Sequence, residues 1–117
     1  MARILIVEDD LTMRAIYAAG LKKAGHETRE LDNGTGIADV VSDFEADAVV
    51  TDIVMAEVEG IEIVLSLRKQ FPDLPVIAIS GEGLYLQSAA KLGASAVVQK
   101  RFAVSDLLAA VESQLAA

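Results

Sequence analysis

Asp47-Ala48-Val49-Val50-Thr51-Asp52 is a short apolar run that ends on an acid and leads into a breaker-rich segment, Ile53 to Gly60. Its apolar residues are consecutive rather than alternate, which marks a strand buried on both faces, as in a parallel sheet covered by helices. A carboxylate at the carboxyl end of a central strand lies on the rim where open α/β sheets bind ligands. Asp52 is therefore the residue around which the rest of the chain is read.

Working outward, the pattern recurs. Ile4-Leu5-Ile6-Val7 is apolar throughout, begins at Arg3 and runs into Glu8-Asp9-Asp10. Val76-Ile77-Ala78-Ile79, opened by Pro75, leads to Ser80, and Ser95 to Gln99 leads to Lys100. Glu27 to Leu31 alternates more and reads as a strand near an edge. Helices are predicted in every gap. Asp10 is placed to cap the first, which offers Leu11, Ala15, Ala18 and Leu21 to the core and stops near Gly25. Asn33-Gly34 marks a turn, and Ile37, Val40, Val41 and Phe44 give the spacing of the second helix. A third, from Val58 to Gln70, is expected to bury Ile61, Val64 and Leu65. A shorter one covers Leu84 to Leu92, stopped by Gly93. The last begins near Ser105-Asp106 and buries Leu107, Leu108, Val111 and Leu115. Five strands alternating with five helices predict a doubly wound α/β sandwich.

The bulk properties narrow the function classes. A chain of 117 residues, 53% of them hydrophobic, is one domain with a mostly aliphatic core. Cysteine is absent, which removes disulfides, thiolate metal sites and a cysteine nucleophile. The net charge of -8 argues against direct binding of nucleic acid over a broad face. No apolar stretch approaches the roughly 18 residues of a membrane span. The start has no signal-peptide profile. These features predict a cytoplasmic domain without membrane insertion. Lone His26, in a turn, reads as a surface or structural residue rather than a metal ligand or phosphoacceptor. Neither Gly34-Thr35-Gly36 nor Gly81-Glu82-Gly83 has the remaining residues of a nucleotide-binding loop.

If the sheet closes as predicted, Glu8, Asp9 and Asp52 meet on one rim. Two unit charges about 4 Å apart interact by roughly 4 kcal/mol at an effective dielectric near 20. Either a carboxyl pKa rises or a cation is bound. A hard divalent ion suits such a cluster, Mg²⁺ above all, because it accepts one or two carboxylates and keeps several waters. A carboxylate is also a competent nucleophile towards phosphorus. Phosphoryl transfer needs alignment and neutralisation of the three equatorial oxygens. Mg²⁺ would take one, the Lys100 ammonium a second, and the Ser80 hydroxyl with nearby N–H groups the third.

Four segments carry a family resemblance: Ile4-Leu5-Ile6-Val7-Glu8-Asp9-Asp10, Val50-Thr51-Asp52-Ile53-Val54-Met55, Ile79-Ser80-Gly81 and Gln99-Lys100-Arg101-Phe102. In this order and spacing the chain resembles the receiver domains of bacterial two-component response regulators. The resemblance implies a single receiver domain over residues 1–117, with a flavodoxin-like (βα)5 fold and strand order 2-1-3-4-5. It implies that Asp52 accepts a phosphoryl group from a histidine kinase or histidine phosphotransfer protein. Glu8, Asp9, Asp52 and the Val54 main-chain carbonyl would hold Mg²⁺, or Mn²⁺ in its place. Ser80 would turn towards the phosphoryl group and Lys100 would pair with it. Such a domain is no enzyme towards outside substrates: it catalyses its own phosphorylation and slow dephosphorylation, and passes the signal to a downstream partner or fused effector.

Three positions depart from the family pattern. Ala56 stands where proline is usual. Arg101 replaces a proline that follows the lysine, so a trans Lys100–Arg101 peptide, or a strained cis exception, is expected. Val97 occupies the place of a switching aromatic in the fifth strand, with Tyr85 as a possible substitute. These departures raise an alternative, a receiver-like interaction module that works without phosphorylation. A phosphoester hydrolase with an aspartate nucleophile is disfavoured, because Val54 stands where its general acid belongs. With Val54 beside the phosphoryl group, and only Glu82 to align water, slow loss of phosphate is expected.

Overall fold

The computed structural model describes residues 2–53, 59–80, 87, 89–99 and 104–116, with the backbone alone at 59 and 60. Five strands, β1 (Arg3–Val7), β2 (Glu27–Leu31), β3 (Ala48–Asp52), β4 (Val76–Ser80) and β5 (Ala96–Gln99), form one parallel sheet in the order β2-β1-β3-β4-β5. Helices α1 (Leu11–Lys23), α2 (Ile37–Phe44) and α3 (Glu59–Gln70) connect the first four strands. A fourth helical segment, α4, is described at residue 87 and over 89–91, and α5 (Val104–Ala116) follows β5. This is the flavodoxin-like arrangement expected from the sequence.

The reason lies in where the strands sit. β3 and β4 are buried at every position, and β1 at all but Arg3, because helices cover both faces of the sheet's middle. β2 and β5 are the edges and are only partly buried. Side chains alternate between faces with a period of two. One face carries Ile4, Ile6, Ala48, Val50, Ile77 and Ile79, which pack with Tyr17, Ala18 and Leu21 of α1 and Leu107 and Val111 of α5. The other carries Leu5, Val7, Val49, Val76 and Ala78, packed with Val41 and Phe44 of α2 and Val64 and Leu67 of α3. β2 leaves β1 on one side and β3 lies on the other. The chain reverses direction across the sheet between β1 and β3, and a crevice opens there at the strands' carboxyl ends.

Two helical faces differ from expectation. In α1, Leu11 is 71% exposed and Ala15 is exposed, while Tyr17, Ala18 and Leu21 are buried. At about 100° per residue, the Tyr17–Ala18–Leu21 stripe is centred well away from Leu11 and Ala15. The large ring of Tyr17, rather than the small alanine, faces the sheet. In α3 the buried stripe is Ile63, Val64 and Leu67, with Ile61 packed at its margin, and Leu65 is 45% exposed. His26 is structural, as read: its Nδ1 accepts from the Ala2 N–H at 3.1 Å, and Nε2 lies 3.5 Å from Glu112 Oε2.

Gly20, midway along α1, has a packing role. A Cβ there would lie on top of Val104 Cγ1, so glycine is what lets α5 begin against α1.

Candidate functional site

Asp52 is the last residue of β3, paired in register with Ile79 of β4, and is 1% exposed. The backbone continues its pairing for one more step, through the Ile53 N–H to Ile79 carbonyl bond of 2.9 Å. The buried Thr51 hydroxyl donates to the Asp52 carbonyl at 3.0 Å, which holds the main chain at the strand's end.

Glu8 stands at the equivalent point of β1, where its N–H donates to the Leu31 carbonyl at 3.0 Å. It is also 1% exposed, while Asp9 is exposed to solvent. The turn from β1 into α1 is tied to itself. Glu8 Oε2 accepts from the Asp10 N–H at 3.3 Å, Asp10 Oδ1 accepts from the Met13 N–H at 3.0 Å, and Arg14 Nη1 donates to the Glu8 carbonyl at 2.8 Å. Asp10 is thus the helix cap predicted from its residue type.

The structure brings Glu8, Asp9 and Asp52 together: one carboxylate oxygen from each lies within 4.8 Å of the others. At that separation each pair of unit charges repels by roughly 3–4 kcal/mol at an effective dielectric near 20. Two members are buried and one faces water. A set of three carboxylate oxygens, with an open solvent side, fits a hard divalent cation such as Mg²⁺ that keeps part of its water shell. Ser80 is fully buried at the end of β4, one residue beyond the Asp52–Ile79 pairing, and its strand neighbour is Gln99. Lys100 and Val54 lie outside the described residues, as do Met55, Ala56, Gly81, Glu82, Gly83, Tyr85, Arg101 and Phe102. Val97, on the edge strand, is 42% exposed.

Tyr17 is the residue that the sequence reading passed over. It is 1% exposed, and its hydroxyl pKa is pushed well above the ordinary tyrosine value, first by burial and then by the charges of Glu8, Asp52 and Asp10. Its signal in the sequence was a single polar-tipped aromatic within α1, two turns after the acid pair.

A cavity of about 950 Å³ lies elsewhere. It opens at the amino ends of the strands, lined by His26, Asp47, Arg68 and Ser95 among others, with none of the three acids. The chemistry of the donor set, not cavity size, identifies the site.

Comparison with known proteins agrees with this geometry. The chain matches the family described as response regulator receiver domain over residues 4–112. It is 35% identical, over 120 aligned positions, to the response regulator receiver protein CpdR of Brucella abortus, covering all of this chain and 99% of that one. It is 31% identical to the DNA-binding transcriptional regulator NtrC of Azospirillum brasilense over 97% of this chain, but it spans only 24% of that protein's length. Among solved structures, the receiver domain of NtrX from Brucella abortus superposes with a TM-score of 0.88 at 30% identity, covering 97% of this chain and 98% of that one. No helix among the described residues is long and apolar enough to cross a membrane. With the fold, the acid cluster and the match over residues 4–112 in agreement, the chain belongs to the response regulator receiver domains of two-component systems.

Proposed function

We propose that Asp52 is the phosphoacceptor of this receiver domain, taking a phosphoryl group from a histidine kinase or a histidine phosphotransfer protein. The observation that carries this reading is the gathering of Glu8, Asp9 and Asp52 within 4.8 Å at the carboxyl ends of β1 and β3. A protein does not concentrate like charges at such a point for stability. Asp52 ends a fully buried strand and its backbone is pinned on both sides, so its carboxylate is a positioned nucleophile.

In the transfer, a carboxylate oxygen of Asp52 forms the new O–P bond. The P–N bond of the donor's phosphohistidine breaks, and its electron pair stays on the departing imidazole nitrogen. Glu8, Asp9 and the Val54 carbonyl would hold Mg²⁺, or Mn²⁺ in its place, beside Asp52. The ion supplies neutralisation of one equatorial oxygen as charge is redistributed. Lys100 follows Gln99, the residue paired with Ser80, and is assigned a second oxygen. The Ser80 hydroxyl is assigned the third. The chain acts on itself alone and switches a surface that a downstream partner or effector reads.

Incubating the protein with a small phosphodonor and Mg²⁺ tests this directly. One phosphoryl group per chain is expected, acid-stable and alkali-labile as an acyl phosphate, and absent from Asp52→Asn. Metal-independent labelling, or labelling that survives Asp52→Asn, defeats the assignment. If no phosphate enters the wild type while a partner binds regardless, the phosphorylation-independent reading takes its place.

A further inference from the structure

Asp9 is exposed to solvent, so close packing does not set where its carboxylate stands. Its place comes from the backbone on either side. On the near side, the Glu8 N–H donates to the Leu31 carbonyl at 3.0 Å, and the Glu8 carbonyl accepts from Arg14 Nη1 at 2.8 Å. On the far side, the Asp10 N–H donates to Glu8 Oε2 at 3.3 Å, and Asp10 Oδ1 caps α1 through the Met13 N–H. A peptide group is planar, so fixing the direction of the Glu8 carbonyl also fixes the N–H and Cα of Asp9. Arg14 sits one turn into α1, where its own N–H donates to the Asp10 carbonyl at 2.9 Å. Side chains on a helix lean back towards its amino end, which carries the guanidinium to the acid turn. Helix stability does not explain a cation there. The positive end of the helix dipole disfavours it, whereas Lys22 and Lys23 in the last turn suit the dipole.

We propose that Arg14 is a positioning residue for the metal-binding acids: by holding the Glu8 carbonyl it sets the Glu8–Asp9 peptide, and with it the approach of the Asp9 carboxylate to those of Glu8 and Asp52. The inference rests on the metal-binding part of the proposed function. Two effects of this one side chain oppose each other. As a positive charge bonded to the backbone of a ligand residue, Arg14 repels an incoming divalent cation and weakens its binding. As a clamp on the acid turn it strengthens binding, since groups that orient metal ligands typically change affinity by roughly 10–100-fold when removed. Arg14 is half-buried, so water and salt screen its charge, whereas the geometry it imposes is not screened. The clamp therefore sets the sign.

The test is a Mg²⁺ titration by calorimetry on the full chain and on its Arg14→Met, Arg14→Gln, Arg14→Lys and Asp9→Asn variants, with metal-free melting curves alongside. Arg14→Met removes donor and charge together, and Mg²⁺ affinity is expected to fall about 10-fold. Arg14→Gln, uncharged and shorter, should fall in the same direction and is read in its place if Arg14→Met does not fold. Arg14→Lys should recover most of the loss, because one bond to a carbonyl does not need the guanidinium fork. Affinity that rises in the uncharged variants overturns the proposal, since charge alone does that. So does affinity within about twofold of the wild type, whatever the melting temperature, because the bond then serves only the fold. If the wild type takes up no Mg²⁺, the metal reading fails and this inference with it. If it binds and only Asp9→Asn is weakened, the metal reading stands and the role of Arg14 falls alone.

Discussion

The two ends of the sheet handle charge in opposite ways. At the amino ends of the strands, the arginines are partnered by acids, carbonyls and a hydroxyl. Arg3 pairs with Glu45 at 2.7 Å and Glu27 at 3.8 Å, and its N–H donates to Asp47 Oδ2 at 2.8 Å. Arg68 of α3 donates to the carbonyls of Gly93 at 2.9 Å and Pro72 at 2.6 Å and to the Ser95 hydroxyl at 3.3 Å. At the carboxyl ends, three carboxylates share one pocket within 4.8 Å. The first end is built for stability, and its arginines hold loops in place. The second carries electrostatic tension that a divalent cation would relieve. A charge that completes the fold and a charge held ready for chemistry are told apart by what surrounds each.

That contrast can be broken experimentally, and the largest effect is expected at Asp52. Asp52→Asn should reduce phosphoryl incorporation to background. Without metal it should also melt higher than the wild type, because one of three mutually repelling charges is gone. A lower melting temperature would mean that the cluster stabilises the fold and that the contrast is false. Next comes Arg68→Ala. It removes three hydrogen bonds, each with a net worth of about 0.5–1.5 kcal/mol, and should cost about 2 kcal/mol in urea unfolding. Phosphorylation of the folded variant should be unchanged.

A smaller effect is expected from Mg²⁺ itself. At about ten times its dissociation constant, the ion should add about 1.4 kcal/mol of stability by linkage, and Asp9→Asn should abolish most of that gain. A gain that persists in Asp9→Asn would place the ion elsewhere. The smallest effect belongs to Arg3→Ala. Its partners are exposed, so a cost under about 1 kcal/mol that fades in high salt is expected. A larger, salt-independent loss would show that the amino end is more than a set of surface pairs.

Much of the fold was legible because the central strands are continuous apolar runs with punctuation on either side. Ile4 to Val7 and Val76 to Ile79 have no other plausible reading in a chain that also shows helical spacing between them. The acids were legible because each ends such a run. Helical faces were less so. Leu11 and Ala15 of α1 and Leu65 of α3 fit an apolar stripe on paper, yet they lie outside the buried face. Small shifts in a helix's rotation about its axis choose between neighbouring stripes, and packing against the sheet makes that choice. Tyr17 was missed for the same reason. On the wrong stripe it reads as a surface tyrosine.

The order of strands and helices, and the residue types at each strand's end, follow from local pattern: apolar runs bury, breakers turn, and acids stop short of the core. What only the tertiary structure decided is that Glu8 and Asp9 share a pocket with Asp52. More than forty residues separate the acid pair from Asp52. They meet because β3 pairs directly beside β1, with Val7 opposite Thr51. No local propensity specifies that register, which is set by the packing of both faces at once.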